Sequence, residues 1–306
     1  MVDIITITYR HEKYILECLE SVAKQKTSFP IFHHVYNDHS PDNSDFIIKN
    51  CKNTNTNYNL IYKKNAVNIG PLQNIRTALQ NTQSKYITIL EGDDYWTDPY
   101  KLQKQVDFLE NNPEYGLVHS NVNHFNESTG KLSTDFNKNT SIPSGDIYDY
   151  LLLPSHAIKT MTVCFRRDLF EKYYLNNPNI LNKDWFLIDI SIWLMIAKHS
   201  KIHYINEVAA TYRLLPESMS RTKNPKKLYE FHEKIHAIRH WYIETYGANE
   251  DVKNIVSINK FKSRLFDALL MNDKQLFTNS MEKLKNLNYK LTLKEKLKIL
   301  KYNLLK

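Results

Sequence analysis

The sequence predicts an α/β fold in which a Rossmann-like, mostly parallel twisted sheet is flanked by helices and followed by a C-terminal helical region. Three observations predict this class. Short apolar strands alternate with helical segments over the first part of the chain, and such alternation requires crossover connections between parallel strands. The chain has 306 residues, enough for one large domain or two ordinary ones. From about residue 226 onwards the apolar spacing is helical.

The first strands and helices are predicted from the spacing of apolar residues. Residues 2–8, VDIITIT, are apolar and largely β-branched, which is typical of a buried strand. Between residues 11 and 24 the apolar residues recur at i, i+3, i+4 and i+7, which places them on one face of a helix. The same criteria predict strands over 31–36, 59–63 and 86–90 and a helix over 71–80.

The later elements follow the same reasoning, with one long loop among them. Amphipathic spacing predicts helices over 98–111 and 184–199. Apolar runs predict strands near 116–120, near 161–166 and, as one or two strands, over 201–213. Asn, Ser, Thr and Lys dominate residues 121–144, which predicts a loop. A basic, proline-containing linker then divides the chain into a domain over 1–222 and a helical region over 223–306.

Most of the net charge of +8 lies at the C-terminal end. Residues 283–306 contain eight lysines and one glutamate, which gives this segment a charge of +7. A basic segment on a nearly neutral body indicates attraction to an anionic surface and argues against a nucleic-acid partner. Leu293, Leu297, Leu300 and Leu304 fall on one helical face, as in basic amphipathic helices at membrane interfaces. The alternative is a helix that packs its leucines on the catalytic domain and leaves its lysines in solvent.

Several function classes are excluded by the motifs that the sequence lacks. It contains neither G-x-G-x-x-G nor a P-loop, which excludes the common dinucleotide and NTP fingerprints. It has no nucleophile elbow and no H-E-x-x-H zinc motif. Its three scattered cysteines fit neither a disulfide framework nor a zinc site, as expected of a cytosolic protein. We also expect no secretory signal and no transmembrane helix.

Polar clusters follow three predicted strands at their carboxyl ends, where parallel sheets bind ligands. The adjacent carboxylates Asp93 and Asp94 repel each other, and a hard cation such as Mg²⁺ would offset the repulsion and bridge to phosphate oxygens. Alternatively, they precede a helix, where acidic residues are common. Asp38 can accept hydrogen bonds from a nucleobase or ribose, or it can form an Asx-turn. The three clusters are Thr8-Tyr9-Arg10, Asn37-Asp38-His39-Ser40 and Glu91-Gly92-Asp93-Asp94.

Asp189 interrupts the otherwise apolar helical segment FLIDISIWLMIA. A carboxylate buried there without a partner would be strongly unfavourable. It therefore either forms an ion pair, for which Arg213 and Lys183 are candidates, or opens onto a cavity. In a cavity, burial would raise its pKa and suit it to act as a base. The sequence leaves both interpretations open.

Four blocks, in order, resemble glycosyltransferase family 2 of the GT-A fold and together cover about residues 2–222. The resemblance implies an inverting hexosyl- or N-acetylhexosaminyl-transferase that uses a nucleotide sugar, with UDP as the expected carrier and Mn²⁺ or Mg²⁺ as cofactor. The implied acceptor is a hydroxyl of a glycan or lipid-linked sugar in bacterial cell-surface polysaccharide synthesis. The blocks are ITITYRHEKYILECLESVAKQ, NDHSPDNS, NIGPLQNIRTALQNTQSKYITILEGDDYW and FLIDISIWLMIAKHSKIHYINEVAATYRLLPESMS.

The resemblance also implies which residues bind the donor. Thr8, Tyr9 and Asp38 match the family positions that hold the uracil or ribose. Asn68 would lie near the nucleotide. Arg213 would lie in a loop that closes over the diphosphate.

Two further residues match the family's metal-binding D-x-D motif, and a third matches its catalytic base. Asp93 would contact the ribose or the metal, and Asp94 would ligate the metal on the diphosphate. Asp189 would be the general base that deprotonates the acceptor hydroxyl.

The chain departs from the family pattern at Asn37, Glu91, Ile188, Ser191 and Leu215. Leu215 replaces a histidine, which removes a third metal ligand. These departures keep open an alternative, an inactive family member that binds nucleotide or glycan without transfer. The expected location is the cytoplasm, either free or peripheral on the inner face of the plasma membrane through residues 283–306.

Overall fold

The computed structural model alternates strands and helices from the first residue. Two compact units result, the first built from Met1–Ile147 and Ala157–Leu215 and the second from Tyr148–His156 and Pro216–Lys306. The structure describes residues 1–138, 140–154, 158–181, 183, 185, 188–216 and 221–304.

Four parallel strands form one half of the sheet in the first unit. They are β1 (Val2–Thr8), β2 (Ile31–Asn37), β3 (Tyr58–Lys64) and β4 (Tyr86–Ile89), in the spatial order β3-β2-β1-β4. Helices make the crossovers, namely α1 (Ile15–Ala23), α2 (Ser44–Asn50) and α3 (Pro71–Gln80). Each strand and helix predicted from apolar spacing over this stretch is confirmed, because β1 and β4 are buried on both faces and α1 and α3 bury one face each.

The other half of the sheet mixes orientations. The sheet continues from β4 in the order β8-β6-β9-β5, and β7 pairs with β6. β6 and β9 are parallel, and the other pairs in this half are antiparallel. Over the described residues, parallel pairs still contain most of the paired positions. The strands are β5 (Tyr95–Trp96), β6 (Tyr115–Asn126), β7 (Lys131–Ser133), β8 (Cys164–Arg166) and β9 (Lys201–Leu214).

The predicted loop over 121–144 was wrong over its first part. β6 continues to Asn126 because it pairs with the single long strand β9 along almost its whole length. The polar side chains of this segment form hydrogen bonds with its backbone. Asn121 Oδ1, for example, accepts hydrogen bonds from the N–H groups of Val122 (2.8 Å) and Asn137 (3.1 Å). Pairing between distant strands therefore overrides local composition.

The remaining helices of the first unit lie after β5 and around β8. They are α4 (Lys101–Asn111), α6 (Arg167–Phe170), α7 (Pro178–Leu181) and α8 (Ile188–His199). The helix predicted over 184–199 begins at Ile188 in the structure, while residues 184, 186 and 187 of that prediction lie outside the described residues.

The second unit consists of helices and their connections, with no strand among its described residues, as predicted for the C-terminal region. Its long helix α9 begins at Pro225 and is capped by Asn224, whose side chain accepts hydrogen bonds from the N–H groups of Lys226 and Lys227. None of the helices in the described ranges is long and apolar enough to cross a membrane. The helices are α5 (Tyr148–Leu152), α9 (Pro225–Tyr246), α10 (Glu250–Met271), α11 (Lys274–Asn286) and α12 (Leu293–Leu304).

Candidate active site at the carboxyl ends of the central strands

The candidate site lies where β1, β2 and β4 end at one edge of the sheet. Thr8, the last residue of β1, pairs with Asn37, and its carbonyl accepts the Asp38 N–H at 2.9 Å. The loop after β4 runs beside β1, since the Gly92 N–H donates to the Ile7 carbonyl at 3.1 Å. The three polar clusters predicted from the sequence therefore follow neighbouring strands at the same edge.

The loop from Glu91 to Trp96 is anchored below by buried side chains. The Trp96 Nε1–H donates to the Met161 carbonyl at 2.8 Å, and the Trp96 backbone N–H donates to Ser21 Oγ at 3.1 Å. The fully buried Lys101 lies over the Trp96 ring, with Nζ 4.4 Å from its centre. These contacts fix the short strand β5 and hold the preceding carboxylates in place.

Four carboxylates converge at this edge and perturb one another. Burial raises the pKa of Glu91 to about 8, and the negative charges of Asp93 and Asp189 add to the effect. Burial, followed by the negative charges of Asp93 and Glu91, also raises the pKa of Asp94 well above its usual range. A hydrogen bond from the Arg213 backbone N–H to Asp94 Oδ1 (2.7 Å) acts in the opposite direction.

Asp189, the predicted base, lies in the first turn of α8 and belongs to this cluster. Burial raises its pKa, and the hydroxyl of Thr160, which donates to Oδ2 at 3.2 Å, partly offsets the increase. Within the described ranges it forms no ion pair, so the alternative salt bridge with Arg213 or Lys183 is not made. The observed environment is that of a buried carboxyl close enough to Glu91 to raise the pKa of Glu91, with the positive charge of Lys159 lowering the pKa of Asp189 itself.

Three polar atoms in the site are buried without a hydrogen-bond partner among the described residues: Thr8 Oγ1, His11 Nδ1 and Glu91 Oε2. Two of them surround Gly92, because a Cβ placed there would stand 2.9 Å from both Thr8 Oγ1 and His11 Nδ1. Buried polar groups nearly always have a partner, so this arrangement fits a site that a ligand or water completes. His11 was missed from the sequence because it stands alone in a helix-forming stretch.

Asp38 and Asn68 lie close together beside β2. Each forms hydrogen bonds mainly with the loop that contains the other. The Asp38 carboxylate accepts hydrogen bonds from Asn65 Nδ2 and the Ile69 N–H (both 2.9 Å) and from the Gly70 N–H (2.8 Å). Asn68 Nδ2 donates to the Asp38 carbonyl at 3.2 Å. Asp38 thus holds the loop before α3 rather than its own turn, and one lone pair of Oδ2 stays available to a ligand.

Tyr9 is exposed at the mouth of the site. The guanidinium of Arg10 lies 5.3 Å from the centre of its ring, and the Arg10 N–H donates to Ser40 Oγ at 3.1 Å. This bond joins the loops that follow β1 and β2. A neighbouring open cavity of about 400 Å³ is lined by Arg10, Glu12, Lys13, Tyr14, Pro41 and Asp42.

Arg213 lies on β9, so the prediction that it occupies a loop was wrong. β9 extends to Leu214 because Phe125 and Arg213 are paired across β6 and β9. The guanidinium binds the carboxylates of Glu17 and Glu127 and lies over aromatic rings, with a side chain only 9% exposed. Its hydrogen bond to the acidic cluster comes from the backbone N–H, which donates to Asp94.

The donor atoms at this edge suit a hard divalent cation. Carboxylate oxygens are the ligands that Mg²⁺ and Mn²⁺ accept, and the mutual repulsion of these groups favours a cation between them. Among the described residues no set of three or more His, Cys, Asp or Glu side chains already surrounds one point. The residues therefore fit a metal that takes part of its coordination from a bound phosphate.

Comparison with known proteins adds a family match and two relatives. The model described as Glycosyl transferase family 2 matches residues 3–174, more than half of the chain. An uncharacterized protein of Mycobacterium tuberculosis is 29% identical over 225 residues, 71% of this chain, but the match spans only 57% of that relative. The putative teichuronic acid biosynthesis glycosyltransferase TuaG of Bacillus subtilis is 26% identical over 264 residues, 83% of this chain and 98% of TuaG.

Solved structures of similar fold cover nearly the whole chain. TarS 1–349 of S. aureus, in complex with UDP-GlcNAc, superposes with a TM-score of 0.57 at 15% identity over 95% of this chain and 93% of TarS 1–349. The mannosyltransferase PcManGT from Pyrobaculum calidifontis, in complex with GDP-Man and Mn²⁺, gives 0.61 at 16% identity over 99% and 79%. Both have the GT-A fold, and the predicted GT-A fold is therefore confirmed.

Proposed function

The chain belongs to glycosyltransferase family 2, and on that premise we propose that it transfers a sugar from a nucleotide sugar to a hydroxyl group. One observation carries the proposal. Glu91, Asp93, Asp94 and Asp189 converge at the carboxyl ends of parallel strands, and they do so beside buried polar atoms that have no partner among the described residues. Such a site suits a charged ligand that brings its own cation.

For the donor, we propose a UDP-sugar carrying a hexosyl or N-acetylhexosaminyl group. TarS and PcManGT were solved with UDP-GlcNAc and GDP-Man, which supports a nucleotide sugar but leaves two carriers to test. Thr8, Tyr9, Asp38 and Asn68 would hold the nucleoside, and the lone pair left on Asp38 Oδ2 suits a ribose or uracil donor group. Arg213 would act at the diphosphate only if its guanidinium leaves Glu17 and Glu127.

For the cofactor, we propose Mn²⁺ or Mg²⁺ held by Asp93 and Asp94. The metal would supply positive charge to the departing diphosphate. Asp94 has one oxygen committed to the Arg213 N–H, which leaves the other for a ligand. Asp93 is half-buried and therefore still accessible to a ligand from solvent.

For the chemistry, we propose an inverting single displacement with Asp189 as the base. Asp189 takes the proton of the acceptor hydroxyl, whose oxygen forms a bond to the anomeric carbon. The bond from that carbon to the diphosphate oxygen breaks on the opposite face, and the nucleoside diphosphate leaves with the electron pair. A raised pKa suits this role because the base must accept a proton at neutral pH.

The acceptor we propose is a glycan or a lipid-linked sugar in cell-surface polysaccharide synthesis, in line with the printed name of TuaG. The reaction would take place in the cytoplasm. We further propose that the basic segment 283–306 brings the enzyme to the inner face of the membrane. The division into a catalytic domain over 1–222 and a helical region over 223–306 stays a prediction about what each part does.

The experiment is a thermal-shift panel of UDP, GDP, CMP and dTDP, each with and without Mn²⁺. A ligand that binds only the folded chain raises the unfolding midpoint. We expect one nucleotide to do so only with metal, and Asp94→Asn to remove the shift. Asp251→Asn, at an exposed position in the second unit, is the matched control and should keep it. No response from any nucleotide would contradict the proposed donor site and favour an inactive family member that binds a glycan.

A further inference from the structure

The last helix, α12, is attached to the second unit through its polar side. A reciprocal capping pair fixes its start: the Glu295 N–H donates to Thr292 Oγ1 (3.3 Å), and the Thr292 N–H donates to Glu295 Oε2 (2.8 Å). Lys262 of α10 forms an ion pair with Glu295 at 2.6 Å. One turn further on, Lys298 Nζ lies 4.0 Å from the centre of the Phe266 ring.

Leu293, Leu297 and Leu300 lie on the opposite side of the helix and face away from α10. Leu293, Leu297 and Leu300 are 73%, 58% and 57% exposed, although apolar residues of an amphipathic helix normally face the protein. At 3.6 residues per turn they fall within about 60° of one another, opposite to Glu295. These three leucines are therefore not buried against the other helices of the second unit.

The charges beside the leucine row identify its partner. Lys294 and Lys296 are exposed on its two flanks, and the last turn of α11 adds Lys283 and Lys285. Residues 283–306 carry a charge of +7, which would repel a basic surface and attract an anionic one. An apolar row with lysines on both flanks is the arrangement that lies in the interface of an anionic bilayer, with the lysines at the headgroups.

We propose that α12 lies in the plane of an anionic lipid bilayer, with Leu293, Leu297 and Leu300 inserted and its Glu295 side held by α10. This inference rests on the proposed membrane location, and it adds which residues insert and in what orientation. It does not depend on the transfer reaction, because none of these residues belongs to the candidate active site. The ion pair with Lys262 keeps the leucines directed outward before any membrane is met.

The test is co-sedimentation of the full chain with vesicles of phosphatidylcholine containing about one-third phosphatidylglycerol. We expect Leu293→Ser/Leu297→Ser/Leu300→Ser to lower the partition coefficient at least about a hundredfold, because three exposed leucines no longer enter the bilayer. Lys294→Gln/Lys296→Gln should lower it about 30-fold on these vesicles and little on pure phosphatidylcholine. All of these positions are exposed, so the urea midpoint of each variant should stay unchanged.

The matched control is Phe46→Ser/Ile61→Ser/Leu132→Ser, which removes three exposed apolar side chains from the first unit and should leave vesicle binding intact. Binding that survives the triple leucine variant overturns the inference while the membrane location stands. A wild-type chain that ignores anionic vesicles overturns both. Neither result bears on donor binding, which the nucleotide panel measures without lipid.

Discussion

Glu91 provides the sharpest test of the acidic cluster, because its protonation should control the stability of the first unit. Burial, and then the charges of Asp93 and Asp189, raise the pKa of Glu91 from 4.5 to about 8. Between these values the folded chain holds a proton that the unfolded chain has released. The contribution of Glu91 to stability is therefore fully present below about pH 4.5 and is lost as the pH rises through this interval.

The size of this loss in the free energy of unfolding follows from the difference between the two pKa values of Glu91. Each pH unit costs at most about 1.4 kcal/mol, so the whole span approaches about 5 kcal/mol. Asp94 and Asp189 add losses of the same sign, since burial raises the pKa of both. Glu91→Gln removes the contribution of Glu91 to this loss. It also lowers the pKa of Asp94, because the negative charge of Glu91 helps to raise that pKa.

Burial lowers the pKa of His33 and His236 to about 3 and that of Lys101 to about 7, so these groups act in the opposite direction over the same range. The expected result is therefore a difference: between about pH 5 and pH 8 the wild-type chain should lose at least about 2 kcal/mol more stability than Glu91→Gln does.

The assay is urea denaturation followed by tryptophan fluorescence at steps across this pH range, without divalent metal. Glu114→Gln, at an exposed glutamate of the same unit, is the control and should follow the wild-type curve. Parallel pH profiles for the wild-type chain and Glu91→Gln would refute the reasoning, because Glu91 would then titrate alike in the folded and unfolded chains.

Three further predictions concern single side chains of the site. Gly92→Ala places a Cβ 2.9 Å from both Thr8 Oγ1 and His11 Nδ1, so nucleotide affinity measured by titration calorimetry should fall at least about tenfold; an unchanged affinity would show that the ligand does not use this space. Asp189→Asn should lower kcat by about 10²–10⁴-fold and leave the nucleotide Kd unchanged, and retained turnover would rule out its role as base. Arg213→Met should destabilise the first unit by about 2 kcal/mol in urea, because Glu17 and Glu127 lose their partner. If stability is instead unchanged and only donor binding weakens, the guanidinium acts on the diphosphate.

The parallel half of the fold was predictable because its signals are local. β1 combines β-branched residues with complete burial, and α1 and α3 repeat apolar residues at helical spacing. The extent of β6 was not predictable, because its polar residues pair with β9, nearly ninety positions further along the chain. The apolar run predicted a strand as far as Arg213, and the pairing with Phe125 agrees with that prediction rather than with the loop that the family resemblance implied.

The carboxylates of the site were predictable from the sequence. The hydrogen bonds and neighbouring residues that surround them were not. Asp93, Asp94 and Asp38 follow apolar strands, and the topology of a parallel sheet places strand ends together. Hydrogen bonds across loops leave no comparable pattern in a sequence. The three bonds to Asp38 come from residues 27 to 32 positions away, and the closeness of His11 to Gly92 depends on how two strand-end loops meet.

The hydrogen bond and ion pairs of Arg213 explain why the cluster of four carboxylates should need a ligand. This arginine reaches Asp94 through its backbone N–H, and its positive charge acts on that carboxyl from a distance; both lower the pKa of Asp94. Its guanidinium forms its ion pairs with Glu17 and Glu127, so burial and the repulsion among the carboxylates still leave the pKa of Asp94 well above its usual range. In a purely structural ion-pair network, the guanidinium of Arg213 would instead bind the carboxylate of Asp94. Leaving the repulsion in place lowers the stability of the empty site, and a divalent cation with a diphosphate recovers that loss on binding. Metal should therefore stabilise the wild-type chain most at about pH 8, where the carboxylates are most ionised, and least at about pH 5; stabilisation that does not vary with pH would place the metal elsewhere.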